Sequence, residues 1–179
     1  MAPPDRPAHA RMPYRVALAW LALAALVVWL DWATKQWANT HLASYAPREI
    51  FGWLNLVLTH NTGAAFNFLS NASGWQRWFF TVLAVMVTLG LLAWLFNLRR
   101  GQWPIALALT LLIGGAIGNL LDRLRLGYVV DFVDVHVGGW HWPAFNVADS
   151  AITCGIIIVL LATAAESVRE RRQASQMSD

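Results

Sequence analysis

The stretch WFFTVLAVMVTLGLLAWLF, Trp78 to Phe96, runs for nineteen residues without a charged side chain. A helix of about 20 mainly apolar residues is long enough to cross the hydrocarbon core of a bilayer. The composition of the whole chain agrees with such a span. Of its 179 residues 58% are hydrophobic and only 13% are charged, whereas soluble domains carry about 25% charged residues. The sequence therefore predicts an integral membrane protein.

Three further apolar segments accompany this stretch. We predict four spanning helices, at about residues 16–36, 77–97, 103–121 and 150–166. The first segment could also be a cleaved signal peptide, but it ends in the bulky stretch Val28–Leu30, where signal peptidase needs small residues. We expect one membrane domain, residues 15–167, between a disordered cytoplasmic N-terminus, residues 1–14, and a cytoplasmic C-terminal tail, residues 168–179.

Basic residues flank the four segments unequally. Eight lie on the side of both termini, namely Arg6, Arg11, Arg15, Arg99, Arg100, Arg169, Arg171 and Arg172. Five lie on the other side, namely Lys35, Arg48, Arg77, Arg123 and Arg125. Because cytoplasmic loops carry an excess of Lys and Arg, both termini are predicted to be cytoplasmic. The net charge of +3 thus indicates membrane orientation rather than binding to nucleic acid.

Two segments on the predicted extracytoplasmic side have the pattern of β-strands. Ile50–His60 is rich in aliphatic and aromatic residues, and Val129–Val137 (VVDFVDVHV) alternates with a period of two. They predict a small sheet on the outer membrane face. In the alternation Asp131 lies on the opposite face from Asp134 and His136, so Asp131 and Asp134 should have different roles.

Asp131 and Asp149 are the strongest candidates for chemistry. Both lie at or near the outer ends of spanning segments, where an ionisable group is costly unless it is paired or functional. The glycines and Pro143 between them allow the chain to turn back. Two carboxylates in a partly apolar site share a proton, so that one can activate water while the other polarises a carbonyl. Alternatively, Asp149 directly precedes the fourth helix and is its N-cap.

Asn119, Asp122 and Arg123 lie on one face of the third helix. They either form a polar cap at the end of that helix or line the site, with Arg123 clamping a carboxylate in bidentate fashion. Gly114 and Gly118 on the same helix form a GxxxG pattern, which allows a second helix to approach closely.

Asp31 and Lys35 have the i, i+4 spacing and the order that favour a helical ion pair, so we assign them a structural role. His60, His136 and His141 match no metal-binding spacing. We therefore expect no metal and no other cofactor.

Four sequence blocks, in order along the chain, resemble the bacterial lipoprotein signal peptidase family, the type II signal peptidases. The blocks are DWATK at 31–35, NTGAAF at 61–66, GGAIGNLLDR at 114–123 leading to VVDF at 129–132, and FNVAD at 145–149. The similarity extends from about Val16 to Ala165.

The resemblance implies an aspartic endopeptidase of the bacterial inner membrane, with its active site at the periplasmic face. It would remove the signal peptide from diacylglyceryl-modified prolipoproteins by cleaving before the lipidated cysteine. Asp131 and Asp149 would be the catalytic pair, and Asp31 and Lys35 a structural pair. The residues that line or brace the site would be Asn61, Asn119, Asp122, Arg123 and Asn146.

The implied fold is a membrane all-α bundle of four transmembrane helices with a small extracytoplasmic β-sheet and a short periplasmic helix. Ala38–Gln76 can supply both the sheet and that short helix. One departure from the family pattern is Asn67, where many relatives carry serine, which concerns local substrate contacts. Met1–Pro13 matches no motif.

The implied partners are the prolipoprotein substrates and membrane lipids, with no nucleic acid and no obligatory protein partner. The main alternative is a proton- or ion-coupled transporter that uses the same acids. Internal repeats and midplane acids are typical of transporters, whereas here the acids lie at helix ends and no repeat is seen. A metal-dependent membrane hydrolase and a non-catalytic assembly subunit are further alternatives.

Overall fold

The protein's structure, a computed structural model, describes residues 10–62 and 75–178. Four long helices contain the four predicted spans, and each is long and apolar enough to cross a membrane. They are α1 (Tyr14–His41), α2 (Trp75–Asn97), α3 (Trp103–Arg125) and α4 (Val147–Ser178). Residues 1–9, most of the expected disordered N-terminus, lie outside the described residues.

α3 is the central helix of the bundle. In its most apolar window 56% of the residues are buried, against 17% to 22% in the other three helices. Large apolar side chains on the outer helices, such as Trp78, Leu89 and Leu160, are exposed, as expected of surfaces that face lipid. The predicted close approach at the GxxxG pattern is confirmed, because added Cβ atoms at Gly114 and Gly118 would lie within 3 Å of α1 atoms.

A four-stranded antiparallel sheet lies at the end of the bundle where α1 and α3 finish and α2 and α4 begin. Its strands are β1 (Arg48–Phe51), β2 (Leu54–Asn61), β3 (Val129–Val137) and β4 (Trp140–His141), paired in that order. An apolar cluster joins the sheet to the end of α1, since Leu58 and Phe132 pack with Ala38 and Leu42. The predicted sheet is thereby confirmed, and its position relative to α1 is fixed by packing.

The prediction of a single strand over Ile50–His60 is wrong, because this segment spans two strands. Gly52 and Trp53 form a two-residue hairpin loop between β1 and β2, with Phe51 paired to Leu54. The expected short periplasmic helix is not among the described residues of Ala38–Gln76. Residues 63–74, which include Asn67, lie outside the described part of the chain.

Candidate active site

Asp131 and Asp149 converge on one cavity of about 590 Å³. Asp131 belongs to β3, and Asp149 lies in the first turn of α4. The β4–α4 loop brings the two elements together, because Val133 and Phe145 pair through their backbones. Asn61, Asn119 and Arg123 line the same cavity, so the structure assembles most of the predicted site.

Each oxygen of the two carboxylates accepts an N–H from an asparagine. Asp131 Oδ1 accepts from Asn146 Nδ2 at 2.7 Å, and Asp131 Oδ2 accepts from Asn61 Nδ2 at 3.1 Å. Asp149 Oδ1 accepts from Asn119 Nδ2 at 2.8 Å, and Asp149 Oδ2 accepts from the Asn146 backbone at 3.2 Å. Both carboxyl groups are therefore fixed in position.

Asn146, rather than Asp149, is the N-cap of α4. Its Oδ1 accepts the Asp149 backbone N–H at 2.9 Å, while Asp149 Oδ2 accepts the Asn146 N–H. This reciprocal pair is a capping box, in which the acid is the third helical residue. The expectation that Asp149 precedes the helix is therefore wrong. The Asn-x-x-Asp spacing in the sequence was the signal that would have placed the cap correctly.

Asn146 also connects the two carboxylates. Its side chain is fully buried, and its Nδ2 donates to Asn119 Oδ1 at 3.1 Å and to the Val130 carbonyl at 3.2 Å, in addition to Asp131. A single amide thus contacts β3, α3 and the start of α4. The relative position of Asp131 and Asp149 depends on it.

The pKa of Asp131 is raised from its ordinary value to about 7. Burial is the main cause, since the residue is only 2% exposed, and the neighbouring charge of Asp149 raises the pKa further. The hydrogen bonds from Asn61 and Asn146 act in the opposite direction without cancelling it. Near neutral pH this carboxyl group can therefore hold a proton.

Lys35 lies at the centre of a buried ion cluster behind the two carboxylates. The predicted ion pair with Asp31 is present, with Lys35 Nζ 2.7 Å from Asp31 Oδ2. Nζ also lies 2.9 Å from Asp122 Oδ2 and donates to Asn119 Oδ1 at 3.0 Å. Asp122 was expected to line or brace the site, and the structure makes it the second carboxylate partner of Lys35.

The two acids of this cluster also hold the backbone beside the site. Asp31 Oδ1 accepts the N–H of Ala148, the residue before Asp149, at 2.9 Å. Asp122 Oδ2 accepts the N–H of Val130, the residue before Asp131, at 3.1 Å. The ion cluster thus anchors both segments that carry the candidate catalytic acids, which spacing in the sequence could not reveal.

Of the two alternatives for Arg123, the bidentate clamp is wrong, because Arg123 forms no ion pair within 4.0 Å among the described residues. Its guanidinium lies 5.5 Å from the ring centre of Phe80, and Nη1 is 3.5 Å from the Asn119 carbonyl. The guanidinium therefore makes a cation–π contact with Phe80 rather than a bidentate bond to a carboxylate.

Asp134 lies outside this network, as the alternation along β3 predicted. It accepts from Asn55 Nδ2 at 2.9 Å and contacts His141 Nδ1 at 2.9 Å. Burial raises the pKa of Asp134, but the hydrogen bonds from Asn55 and His141 outweigh it, and the pKa is lower than usual. Within the described part of the chain, no group of three His, Cys, Asp or Glu residues is arranged to hold a metal ion.

Part of the cavity wall was not predicted from the sequence. Trp142, Pro143 and Phe145 come from the loop before α4, and the segment 152–154 comes from α4 itself. In a chain that is 58% hydrophobic, such residues carry no signal that distinguishes a cavity wall from a lipid-facing surface.

Comparison with known proteins identifies one family. Residues 23–165 match the sequence profile described as Signal peptidase (SPase) II. The lipoprotein signal peptidase of Xanthomonas axonopodis pv. citri is 54% identical over 147 residues, covering 81% of this chain and 85% of that protein. The lipoprotein signal peptidase of Acinetobacter baumannii (strain ATCC 17978) is 49% identical over 146 residues, covering 82% and 83%.

Two solved structures of bacterial membrane enzymes are also similar. One, determined by the in meso method at 2.3 Å, is 29% identical with a TM-score of 0.76, covering 89% of this chain and 93% of that one. The other, determined by the same method at 1.9 Å, is 28% identical with a TM-score of 0.74, covering 87% and 96%. The bundle and the sheet are therefore shared with these enzymes.

Proposed function

The chain belongs to the signal peptidase II family, and we propose that Asp131 and Asp149 are the two carboxylates with which it hydrolyses the peptide bond. It is a multi-pass protein of the bacterial inner membrane and an aspartic endopeptidase that removes signal peptides from prolipoproteins. The bond that it cleaves lies before a cysteine that carries a diacylglyceryl group.

One observation carries the assignment of the catalytic pair. Asp131 and Asp149 share a single cavity, and asparagine N–H groups hold all four of their oxygens. Such a pair meets the geometric need of acid–base catalysis, which is two positioned carboxyl groups facing one space. Asp31 and Lys35 have a structural role, while Asn61, Asn119, Asp122 and Asn146 brace the pair.

In the resting enzyme the pair shares one proton, held mainly on Asp131. Burial and the charge of Asp149 favour a proton on Asp131, and the first turn of α4 favours a negative charge on Asp149.

The Asp149 carboxylate takes a proton from water, and the water oxygen attacks the scissile carbonyl carbon. At the same time Asp131 donates its proton to the carbonyl oxygen. Arg123 supplies positive charge to the cavity.

Collapse of the tetrahedral intermediate restores both carboxyl groups. Asp149 gives its proton to the amide nitrogen as the carbon–nitrogen bond breaks, and Asp131 recovers a proton from the hydroxyl of the intermediate. The products are the free signal peptide and a mature chain that begins with the lipidated cysteine. No step needs a metal ion.

The residues that line the cavity support a lipid-modified substrate. Ile152, Thr153 and Cys154 line it, and they lie on the part of α4 that is apolar enough to span the membrane. Val129 and Phe145 add apolar surface near the carboxylates. An acylated substrate could therefore approach from the hydrocarbon while its peptide bond meets Asp131 and Asp149.

A cleavage assay tests this function directly. We expect the purified protein alone, in detergent with EDTA, to cleave a peptide bearing a diacylglyceryl cysteine and to leave the unlipidated peptide intact. Mass spectrometry of the products locates the cut. Cleavage that EDTA abolishes would point to a metal-dependent hydrolase, and equal cleavage of both peptides would refute the role of the lipid.

We further propose that both termini are cytoplasmic, so that the sheet and the active site face the periplasm. The excess of basic residues at the terminal side supports this orientation. The domain of residues 15–167 then lies between two cytoplasmic segments, residues 1–14 and 168–179.

Cysteine labelling in spheroplasts measures this orientation. In a Cys154→Ala background, a membrane-impermeant thiol reagent should label Ser44→Cys in intact spheroplasts and Ser175→Cys only after lysis. Cys154 must be replaced because it is exposed. Labelling of Ser175→Cys without lysis would place the active site in the cytoplasm and overturn the topology.

A further inference from the structure

A second cavity, of about 650 Å³, adjoins the first at Asp131. The two cavities share Asn61, Asp131 and the segment 142–144. We call the first cavity, which reaches residues 152–154 of α4, the membrane arm, and the second cavity the polar arm. Asp131 thus lies at the junction of two arms of one cleft.

The two arms differ in what lines them. The described residues found only in the polar arm are Tyr45, Thr59, His60, Thr62 and His141. All of them come from strands and loops outside the four candidate spans. Their hydroxyl and imidazole groups can bond to a peptide backbone. The membrane arm also has polar groups near Asp149, but its far end is formed by Ile152 and Cys154 on the spanning part of α4.

Tyr45 is held in an unusual backbone conformation on the wall of the polar arm. Its φ is 57°, and it is the only described non-glycine residue with a positive φ. For a bulky residue this conformation is strained, and such strain persists where the surrounding structure enforces it. Here the Tyr45 N–H donates to the Leu58 carbonyl of β2 at 2.9 Å.

The strained backbone presents an aromatic ring beside a histidine. The Tyr45 ring packs edge-on against His60 at 6.3 Å between centres, and His60 in turn contacts the Tyr128 ring at 4.5 Å. Tyr45 nevertheless remains 66% exposed. An exposed, rigidly placed aromatic ring at the mouth of a cavity is the kind of group that contributes most to peptide binding.

We propose that the polar arm binds the mature side of the substrate, the extended segment that directly follows the lipidated cysteine. This inference rests on the proposed function. The signal peptide and the acyl chains are apolar and stay in lipid, so they occupy the membrane arm. The mature segment enters water, and from a bond held at Asp131 the polar arm leads away from the four candidate spans. Tyr45 and His60 contact it there.

A peptide-length comparison tests the subsite. Two lipidated peptides are compared, one ending in an amide at the cysteine and one extending six residues further. In the wild-type enzyme the longer peptide should have a KM lower by about fivefold, the factor expected of one well-placed aromatic contact. In Tyr45→Gly, which removes the ring and tolerates the positive φ, this KM advantage should disappear.

Tyr14→Gly is the matched control, since Tyr14 is also 66% exposed but lies at the start of α1, at the other end of the bundle. It should retain the KM advantage of the longer peptide. Equal KM values for both peptides in the wild-type enzyme would overturn the subsite while leaving the proposed function intact. Failure of the wild-type enzyme to cleave either peptide would overturn both.

Photocrosslinking of the wild-type protein gives a second measurement that needs no variant. A photoreactive side chain three residues after the cysteine should label β2 or Tyr45. The same group placed before the cysteine should instead label residues 152–154. Labelling of α4 from the position after the cysteine would refute the assignment of the polar arm.

Discussion

Replacing either aspartate of the pair by asparagine should lower turnover by at least the ~10²–10⁴-fold that is typical of lost acid–base catalysis. In Asp149→Asn the group that activates water is lost, and in Asp131→Asn the group that protonates the carbonyl oxygen is lost. Turnover of the lipidated peptide by purified variants measures both effects. If both variants keep wild-type turnover, the aspartic mechanism itself fails.

Both variants should still fold. Asparagine has the same size as aspartate, and it can keep one of the two N–H contacts that each carboxylate accepts. The other contact is lost, at a cost of about 1–3 kcal/mol for an unsatisfied buried group. The melting temperature of each variant in detergent should therefore lie only a few degrees below that of the wild type. A variant that does not fold would show no melting transition.

The two variants also identify which acid holds the proton. A protonated-carboxyl infrared band near neutral pH should disappear in Asp131→Asn and persist in Asp149→Asn, because the dominant form of the pair holds its proton on Asp131. The opposite result would reverse the roles of Asp131 and Asp149 without changing the enzyme class.

The raised pKa of Asp131 predicts how the stability and the activity of the protein depend on pH. Its value of about 7 exceeds the ordinary value of 3.8, so the folded protein binds this proton more tightly than the unfolded chain. The resulting stability is fully present below pH 3.8 and is lost as the pH rises through about 7. Activity that needs the proton should fall over the same upper range. In Asp131→Asn the melting temperature should lose this dependence on pH.

Gly115→Ala should give the second large effect, a loss of both stability and activity. An added Cβ would contact the Ala148 carbonyl oxygen and lie 2.7 Å from Ile152 Cγ1, so α4 must move away from α3. Overpacking of this kind costs about 1–3 kcal/mol. Because Ala148 directly precedes Asp149, a displacement of about 1 Å would also lower turnover by about 100-fold.

Gly90→Ala is the control for this prediction. Gly90 lies in the middle of α2, and an added Cβ would meet nothing within 4 Å, so this variant should melt and turn over like wild type. The melting temperature and the turnover of both variants are compared in the same detergent. A Gly115→Ala protein that matches Gly90→Ala in both would show that α3 and α4 tolerate a wider separation.

The sequence predicted the bundle well because span length and apolar composition are local properties. It also predicted the convergence of Asp131 and Asp149, partly from their position at helix ends and partly from family resemblance. The hairpin at Gly52 was missed because aliphatic and aromatic residues stand on both sides of that glycine, so that Ile50–His60 has the composition of one strand. A two-residue hairpin loop forms because its two flanking strands pair with each other, and the periodicity of a sequence alone does not reveal this pairing.

The contacts that the sequence did not reveal at the site share a physical cause. The partners of Asp122 and Arg123 lie on other helices and strands. Lys35 contacts Asp122 across 87 positions of the chain, and the guanidinium of Arg123 lies over the ring of Phe80, which belongs to α2. Helical spacing identifies neighbours within α3, but it cannot identify partners that arrive from α1, β3 or α4.

The ion cluster around Lys35 has a consequence for the biogenesis of the enzyme. α1 is translated first and carries Asp31 and Lys35 together, so its two opposite charges enter the bilayer as a neutral pair at lower cost than a lone charge. Lys35 is then in place when α3 delivers Asp122. α4 is translated last, and only its arrival gives Asp31 the Ala148 N–H and completes the pair of aspartates. With Asp149 in its proposed catalytic role, the nascent protein remains inactive until its final helix is inserted.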